Sequence, residues 1–299
     1  MLNVDRALNN DRLLRAMTGL NRKAFDELCQ VFGEVYQERL QATAQPRKRA
    51  RGGGRKARLQ SPTAKLFFVL LYFKCYPTFD VLELLFDLDR GRAHRWVRRL
   101  QATLEIALGQ KMVLPERKIE SLQQFIERFP DIEKVFLDGT ERPVQRPQDA
   151  EKQKENYSGK KKRHTRKHIA ATTCQKRVLV LTIARGGRIH DKRQLDEANL
   201  VSNIPDQVAI AGDLGFQGLQ NEFVNIFLPH KKPRGKELSE EKKQENKEFS
   251  RERVKCEHAF AGIKRYNAIS AIYRNRVSDF DDRLMVTAAG LWNFYLDAA

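Results

Sequence analysis

Val135-Phe136-Leu137-Asp138-Gly139-Thr140 is the stretch on which the interpretation of this sequence rests. Three apolar residues lead into an aspartate, and a glycine follows at once. The pattern predicts a buried strand that carries one carboxylate to the edge of a sheet, because the apolar residues anchor the strand and the glycine lets the chain turn. The same pattern recurs where Val208-Ala209-Ile210-Ala211-Gly212 leads into Asp213 and Gly215. We expect the two aspartates to face a shared site.

A third acid, Glu257, lies in a segment predicted to form a long helix from Leu238 to Tyr266. With 3.6 residues per turn, Arg253 and Lys264 fall near the helical face of Glu257. Glu252 competes as the third acid by composition, but it lies about 140° around the helix, on a face without an apolar stripe. The simpler alternative is that Arg253 and Glu257 form only an i,i+4 ion pair.

Carboxylates suit a hard divalent cation, which prefers oxygen ligands to the nitrogen and sulfur of His and Cys. Taken singly, each aspartate is more typical of an ordinary turn beside glycine. Three acids in matching contexts favour a common site instead. We therefore expect Asp138, Asp213 and Glu257 to hold two Mg²⁺ ions, for which Mn²⁺ would substitute. Such ions, about 3.5–4 Å apart, stabilise the attacking and leaving oxygens of a phosphodiester displacement.

The charge of the chain points to a polyanionic partner. Lys and Arg number 56 against 38 Asp and Glu, which gives a net charge of +18 and a pI near 9.9. This excess is well beyond what solubility requires. Nucleic acid is the leading partner and an anionic membrane surface is the second. The hydrophobic content of 41% over 299 residues is enough for the core of one large or two unequal domains.

The cysteines and the apolar runs predict a soluble intracellular protein. Cys29, Cys75, Cys174 and Cys256 have no paired spacing, so we expect neither a disulfide framework nor a zinc site. The N-terminal Asp and Asn residues do not fit a signal peptide. The longest apolar run, 66–73, is too short to span a bilayer and predicts a buried helix.

Residues 1–45 are predicted to be helical, with an amphipathic helix suited either to the core or to dimerisation. Its apolar face carries Phe25, Leu28, Phe32 and Val35. Residues 46–60 change composition abruptly and cannot fold alone. They contain three consecutive glycines and the basic residues Arg47, Lys48, Arg49, Arg51, Arg55, Lys56 and Arg58. This segment is either a solvated linker or an arm that enters a narrow minor groove, and the overall charge favours the arm.

Residues 61–110 are predicted to form a helix-turn-helix domain. Ser61-Pro62 begins one helix, and the short turn Asp87-Leu88-Asp89 separates the next two. The apolar face of the last helix carries Ala93, Trp96, Val97 and Leu100. Its basic face carries Arg92, Arg95 and Arg99. A purely basic outer face indicates a groove-reading helix, although helical hairpins also serve structural roles.

Residues 111–131 are predicted to be a helical connector, and 132–299 to be an α/β domain. After the strand that ends at Asp138 we expect a basic loop over 145–166 and a hairpin of strands at 168–174 and 178–184. A helix, strands near 208–210 and 226–229, and the long helix follow. This order predicts a mixed sheet covered by helices.

Five motifs carry a resemblance to a known family. They are the 135–140 stretch, Tyr157-Ser158-Gly159-Lys160-Lys161-Lys162, Gly187-Arg188-Ile189-His190-Asp191, Gly212-Asp213-Leu214-Gly215-Phe216-Gln217-Gly218 and Arg253-Val254-Lys255-Cys256-Glu257-His258-Ala259-Phe260. In this order they resemble bacterial insertion-sequence transposases of the Asp-Asp-Glu class, in the branch related to the Harbinger transposons. The resemblance implies a ribonuclease H-like core with Asp138, Asp213 and Glu257 as metal ligands. It also implies cleavage of double-stranded DNA at terminal inverted repeats and transfer of the 3′-OH ends into target DNA.

The same resemblance gives further expectations. Basic residues beside the acids would hold DNA phosphates, namely Lys160, Lys161, Lys162, Arg253 and Lys264. Ser250 stands where the family signature places a tyrosine, and we expect Asp191 to have a helix-capping or supporting role. Two DNA ends held together require at least a homodimer, and the protein is expected in the bacterial cytoplasm at the nucleoid. The alternatives are a non-catalytic DNA-binding regulator on the same scaffold and a plain Mg²⁺-dependent endonuclease.

Overall fold

A computed structural model of the chain describes residues 2–42 and 57–298. Contacts group the chain into two units. The first consists of Met1–Leu114, Lys264–Ala271 and Arg283–Ala299, and the second of Pro115–Ile263 and Ile272–Asp282.

The described residues contain twelve α-helices, which differ widely in length. In chain order they are α1 (Val4–Leu8), α2 (Asp11–Thr18), α3 (Arg22–Ala42), α4 (Pro62–Cys75), α5 (Phe79–Phe86), α6 (Arg90–Gln110), α7 (Leu122–Arg128), α8 (Ala150–Asn156), α9 (Asp191–Glu197), α10 (Glu240–Lys264), α11 (Asn267–Ser270) and α12 (Phe280–Ala298). The long helix predicted for 238–266 is confirmed by α10.

The first unit is helical throughout its described residues. Helix α4 is buried from Lys65 to Phe73, which confirms the buried helix predicted there. The Ser61 hydroxyl accepts the N–H of Ala64 at 3.0 Å, and Pro62 occupies the first helical position. The apolar face of α3 belongs to the core, because Phe25, Leu28, Phe32 and Val35 are all buried. Burial of each such side chain stabilises the fold by about 1.5–3 kcal/mol.

The second unit contains a mixed sheet flanked by helices, as the sequence predicted. Its strands are β1 (Lys134–Pro143), β2 (Tyr157–Ser158), β3 (Arg163–Thr172), β4 (Val178–Leu181), β5 (Arg185–Gly186), β6 (Ala209–Ala211) and β7 (Ile226–Phe227). Strand β1 is antiparallel to β3 and parallel to β6, and β7 pairs in parallel with β6. Strands β2, β4 and β5 pair with β3. The fold class is therefore α/β.

Strand β1 is held in place by apolar residues. Val135, Phe136 and Leu137 are at most 2% exposed. Val135 and Leu137 pack in one core cluster with Ile210 of β6 and Phe216, just after Asp213. The apolar runs that precede the two aspartates therefore share a core, which fixes the position of each carboxylate. The turn predicted at Gly139 was wrong, because β1 continues through Asp138 and Gly139 to Pro143 in antiparallel pairing with β3.

The basic loop predicted for 145–166 was wrong. This segment contains helix α8, strand β2 and the beginning of β3. The carboxylate of Asp149 caps α8 by accepting the N–H of Lys152 at 2.8 Å. Ala, Glu, Lys and Gln fill the helix and favour helical backbone, although their charge gives the stretch the composition of a loop.

The contacts also group the segments differently from the sequence-based division. Residues 264–271 and 283–299 belong with the helical unit, whereas the sequence assigned 132–299 to one domain. The described part of residues 1–45 shares that unit with the predicted helix-turn-helix. The five-segment division therefore stays a prediction.

All four cysteines are free, as predicted. Among the described residues, every helix is too short or too polar to span a membrane.

Candidate active site

Asp138 and Asp213 occupy equivalent positions relative to the parallel pairing of β1 with β6. Phe136 of β1 lies opposite Ala211 of β6, where the parallel pairing ends. Each aspartate lies two residues beyond this point of its own strand. The structure thus brings the two predicted residues together, at the sheet edge where ligands bind in many α/β proteins.

Backbone amides fix both carboxylates. Asp138 Oδ1 accepts the N–H of Gly139 at 2.8 Å. Asp213 Oδ1 accepts the N–H of Gly215, also at 2.8 Å. In the described part of the chain, neither carboxylate forms an ion pair with a Lys or Arg side chain. Their negative charges are therefore positioned but not neutralised by direct contact.

The charges of the two acids influence each other. Burial raises the pKa of Asp138 from its ordinary value of 3.8 to about 6, and the negative charge of Asp213 adds to this rise. Arg253 and Lys160 act in the opposite direction. Two half-buried carboxylates that repel each other form an oxygen-only donor set. That donor set fits a hard divalent cation, whose charge would offset the repulsion.

Glu257 is not gathered with the two aspartates. Its neighbour Cys256 is buried, and burial raises the pKa of the Cys256 thiol to about 12. Cys256 is near enough to Asp138 for the charge of Asp138 to contribute to that rise. Glu257 itself is exposed on α10. Among the described residues, no three His, Cys, Asp or Glu side chains are arranged to hold a metal ion. The competing acid Glu252 forms an ion pair with Lys134.

Asp191 lies at this site, although the sequence assigned it only a capping or supporting role. The N-cap of α9 is His190, so Asp191 is in the first turn. A Cβ on Gly215 would come within 2.8 Å of both Asp191 Oδ2 and Asp213 Oδ1, so the two carboxylates flank that glycine. A Cβ on Gly139 would lie 3.4 Å from the Asp191 carboxyl carbon. Asp191 therefore lies beside both Gly139, which follows Asp138 in β1, and Gly215, which follows Asp213 by two residues.

A buried lysine compensates Asp191. Lys167 Nζ on β3 donates to Asp191 Oδ1 at 2.7 Å and to the carbonyl of Ile189 at 2.7 Å. Glu141 Oε1 lies 3.8 Å from the same nitrogen. Asp191 is thus neutralised by contact, in contrast to Asp138 and Asp213. The register of β3 and the position of α9 create this arrangement, and the spacing of these residues in the sequence does not reveal it.

The predicted basic residues near the site lie on a hairpin and on α10. Strands β2 and β3 are joined by a turn in which the Ser158 hydroxyl accepts the N–H of Lys161 at 3.1 Å. Lys160, Lys161 and Lys162 are exposed on this turn, and Lys160 is close enough to lower the pKa of Asp138. Ser250 donates to the carbonyl of Asn246. Lys264 is the last residue of α10 and groups with the helical unit.

The predicted groove-reading helix is α6, and its two faces are as expected. Ala93, Val97 and Leu100 are fully buried and Trp96 is half-buried. The basic residues Arg92, Arg95 and Arg99 are exposed. The Arg99 guanidinium lies over the ring of Trp96 at 5.6 Å, which helps to orient it.

Only one of the basic residues named in the predicted arm is described. Arg58 forms an ion pair with Asp87, in the turn before α6. The remaining predicted contacts lie outside the described residues, namely Arg47, Lys48, Arg49, Arg51, Arg55 and Lys56.

Two family models match the chain. The model of the helix-turn-helix of DDE superfamily endonuclease matches residues 57–110. The model of DDE superfamily endonuclease matches residues 137–293, more than half of the chain. The chain belongs to the DDE superfamily endonucleases. The resemblance to the Asp-Asp-Glu class and the helix-turn-helix prediction are thereby confirmed, and the mixed sheet fits the ribonuclease H-like fold class expected from it.

A relative extends this comparison along the whole DDE endonuclease. The chain is 29% identical over 287 residues to the probable transposase for insertion sequence element IS702 of Microchaete diplosiphon. The alignment covers 95% of each protein. No solved structure matches the chain significantly.

The second unit of this DDE endonuclease also contains a carboxylate, Asp282, whose charge is compensated by its neighbours. Arg117 Nη2 donates to both carboxylate oxygens of Asp282 at 2.6 and 2.7 Å, and His168 Nε2 lies 3.1 Å from Oδ1. The Ala184 N–H donates to Oδ1 at 2.8 Å. Burial alone would raise the pKa of Asp282, but the bonds and charges of these partners hold it at about 2. No motif in the sequence pointed to this cluster.

Proposed function

We propose that the protein is a DNA transposase that cleaves phosphodiester bonds at the terminal inverted repeats of an insertion sequence and joins the 3′-OH ends to target DNA. The observation that carries this proposal is the register-matched pair Asp138 and Asp213, in a chain of the DDE endonuclease family. The full-length similarity to a probable transposase supports transposition over simple cleavage.

The proposed metal ligands are Asp138 and Asp213, with Glu257 as the third. When bound there, two Mg²⁺ ions, or Mn²⁺ in their place, would stabilise the attacking and leaving oxygens of the displacement. Burial, and after it repulsion from Asp213, raises the pKa of Asp138, and this supports the assignment because a site with excess negative charge favours cations. Glu257 is supported by the position of its helix turn, since Arg253 and Cys256 both interact electrostatically with Asp138.

The basic side chains of this chain would position the DNA. Arg92, Arg95 and Arg99 on α6, together with the arm over 46–60, would recognise the element ends. Lys160, Lys161, Lys162, Arg253 and Lys264 would contact phosphates around the scissile bond. Lys167 would keep Asp191 oriented against Gly139 and Gly215 and so support the backbone beside Asp138 and Asp213.

The assembly follows from the reaction. Two element ends must be held at once, so we propose a homodimer or larger assembly on DNA. Acting on the bacterial chromosome, it would work at the nucleoid in the cytoplasm.

The decisive experiment incubates the protein with linear DNA that carries the terminal repeats of its own element, plus a target plasmid, in Mg²⁺ or in EDTA. We expect nicked ends and joined products in Mg²⁺ and neither in EDTA. Binding without nicking would indicate the regulator, and nicking without joining would indicate the plain endonuclease.

The electrostatic part of the proposal has its own test. Binding that neutralises several phosphates releases counterions, so affinity for the repeats should fall steeply as salt rises. An affinity that stays constant from low to high salt would contradict the proposed role of the basic arm and of α6.

A further inference from the structure

A cavity of about 720 Å³ lies between α8 and the hairpin of β2 and β3. Its volume is in the range of pockets that hold small molecules. The side chains that define its character are Arg146, Lys154, Tyr157, His164 and Arg188. Among the described residues no acidic side chain lines it.

The aromatic wall is a rigid platform. Tyr157 and His164 are direct partners in the antiparallel pairing of β2 with β3. Their ring centroids are 5.7 Å apart and the rings are nearly perpendicular, at 71°. In this geometry His164 covers at most one face of the Tyr157 ring. Tyr157 is also 43% exposed, so it is held by its strand while ring surface remains accessible.

The cations around the platform are available to an anion. Both Nε and Nη2 of Arg146 donate to Gln153 Oε1, at 3.0 and 2.9 Å, so a neutral partner fixes the guanidinium without cancelling its charge. Arg188 is exposed and, within the described residues, forms no ion pair. Lys154 is paired with Glu151 and contributes less. The pocket therefore keeps a net positive charge.

The pocket lies close to the acids. Gly159 lines it, and the next residue, Lys160, is near enough to influence Asp138 electrostatically. A strand of DNA whose scissile phosphate reaches Asp138 and Asp213 would therefore pass the hairpin that carries Tyr157.

We propose that this cavity binds one unpaired nucleotide of the DNA strand at the acid site, with its base on Tyr157 and its phosphate beside Arg146 and Arg188. Stacking on an aromatic ring in a pocket requires a base that has left its duplex. A basic groove with an aromatic platform is the arrangement that binds single strands with little sequence preference. The inference rests on the proposed function, because it takes DNA as the substrate.

The test compares two labelled probes by fluorescence anisotropy with the full chain in EDTA. One is a blunt duplex, and the other is the same duplex with a short 3′ oligothymidine extension. The wild type should bind the extended probe about tenfold more tightly, because stacking of one base contributes about 1–3 kcal/mol. Tyr157→Ala should lose this advantage and keep its affinity for the blunt duplex, and Tyr157→Phe should retain both.

Phe227→Ala is the matched control, because Phe227 is an aromatic residue of the same unit, 52% exposed and outside the cavity. It should behave as the wild type. Equal wild-type affinity for the two probes would overturn the proposal, and so would a Tyr157→Ala variant that weakens both probes equally. A wild type that binds neither probe would instead contradict the proposed function itself, and the pocket assignment with it.

Discussion

Asp138 and Asp282 are both largely buried carboxylates of the same unit, yet their environments are opposite. Asp282 is surrounded by Arg117, His168 and a backbone N–H, which hold its pKa at about 2. Burial and then the charge of Asp213 raise the pKa of Asp138 to about 6. The difference separates a carboxylate that stabilises the fold from one that costs stability. Such a cost is typical of catalytic sites, where charge is arranged for a ligand rather than for the protein.

The largest expected effect on stability is at Asp282. Asp282→Asn should lower the free energy of unfolding by about 3 kcal/mol, because it leaves the half-buried Arg117 without its counter-charge. Chemical denaturation measures this change. As control, Asp26→Asn breaks the exposed pair with Arg22 and should change stability by less than about 1 kcal/mol. Similar losses of stability in the two variants would contradict the special role of Asp282 in stabilising the fold.

The next effect concerns catalysis. Asp138→Asn should reduce DNA cleavage at least about 100-fold to 1000-fold, a typical result of removing one charge-stabilising group. In EDTA it should also raise the free energy of unfolding, by up to about 3 kcal/mol, because the neutral amide removes the cost of burying a charge and the repulsion from Asp213. Cleavage assays and denaturation in EDTA measure the two changes. A variant that cleaves normally, or one that is less stable in EDTA, would place Asp138 in the same class as Asp282.

The two carboxyls should give opposite dependences of stability on pH. The pKa of Asp138 is raised, so its folded state keeps a proton that the unfolded chain loses, and the stability of the wild type relative to Asp138→Asn should fall from about pH 4 to about pH 6. The pKa of Asp282 is lowered, so its contribution should be complete above about pH 4 and be lost as pH falls toward 2. Denaturation across pH in EDTA measures both. A wild-type-to-Asn difference at 138 that stays constant with pH would refute the raised pKa.

The smallest expected effect tests whether Arg253 contributes to the pKa of Asp138. Arg253→Gln removes a positive charge that lowers the pKa of Asp138. The fall in stability with rising pH, here called the stability step, should therefore extend to higher pH, and the free energy of unfolding should change by less than about 1 kcal/mol. Lys255→Gln, two residues along α10 and exposed, is the matched control and should leave the step in place. If both variants shift it equally, the effect comes from the net charge of α10 and not from Arg253.

The sequence predicted the Asp138–Asp213 pair because the signal is local. An apolar run followed by an acid and a glycine marks a buried strand with a carboxylate near it, and the parallel pairing of β1 with β6 brings the two acids together. The sequence alone did not reveal that β1 continues past Gly139, because that continuation depends on pairing with β3. Asp191 and Lys167 were placed only by the register of β3 against α9. The Asp282 cluster joins residues 117, 168, 184 and 282, and no spacing in a single sequence encodes such a contact. Helix α8 was missed for a different reason, because charge density obscured good helix formers.

The path of the chain has a practical consequence for anyone who divides this protein. Helix α12 begins in the sheet unit and completes the helical one, where Leu284, Met285, Leu291 and Phe294 are buried. Thr287 of α12 accepts a hydrogen bond from Gln101 at 3.0 Å, and Asn293 donates to the carbonyl of Val113 at 2.9 Å. A fragment that starts at residue 132 would carry this helix without its partners and expose its apolar face to water. Expressing the nuclease half alone is therefore expected to give aggregates, unless residues 1–114 are supplied in trans.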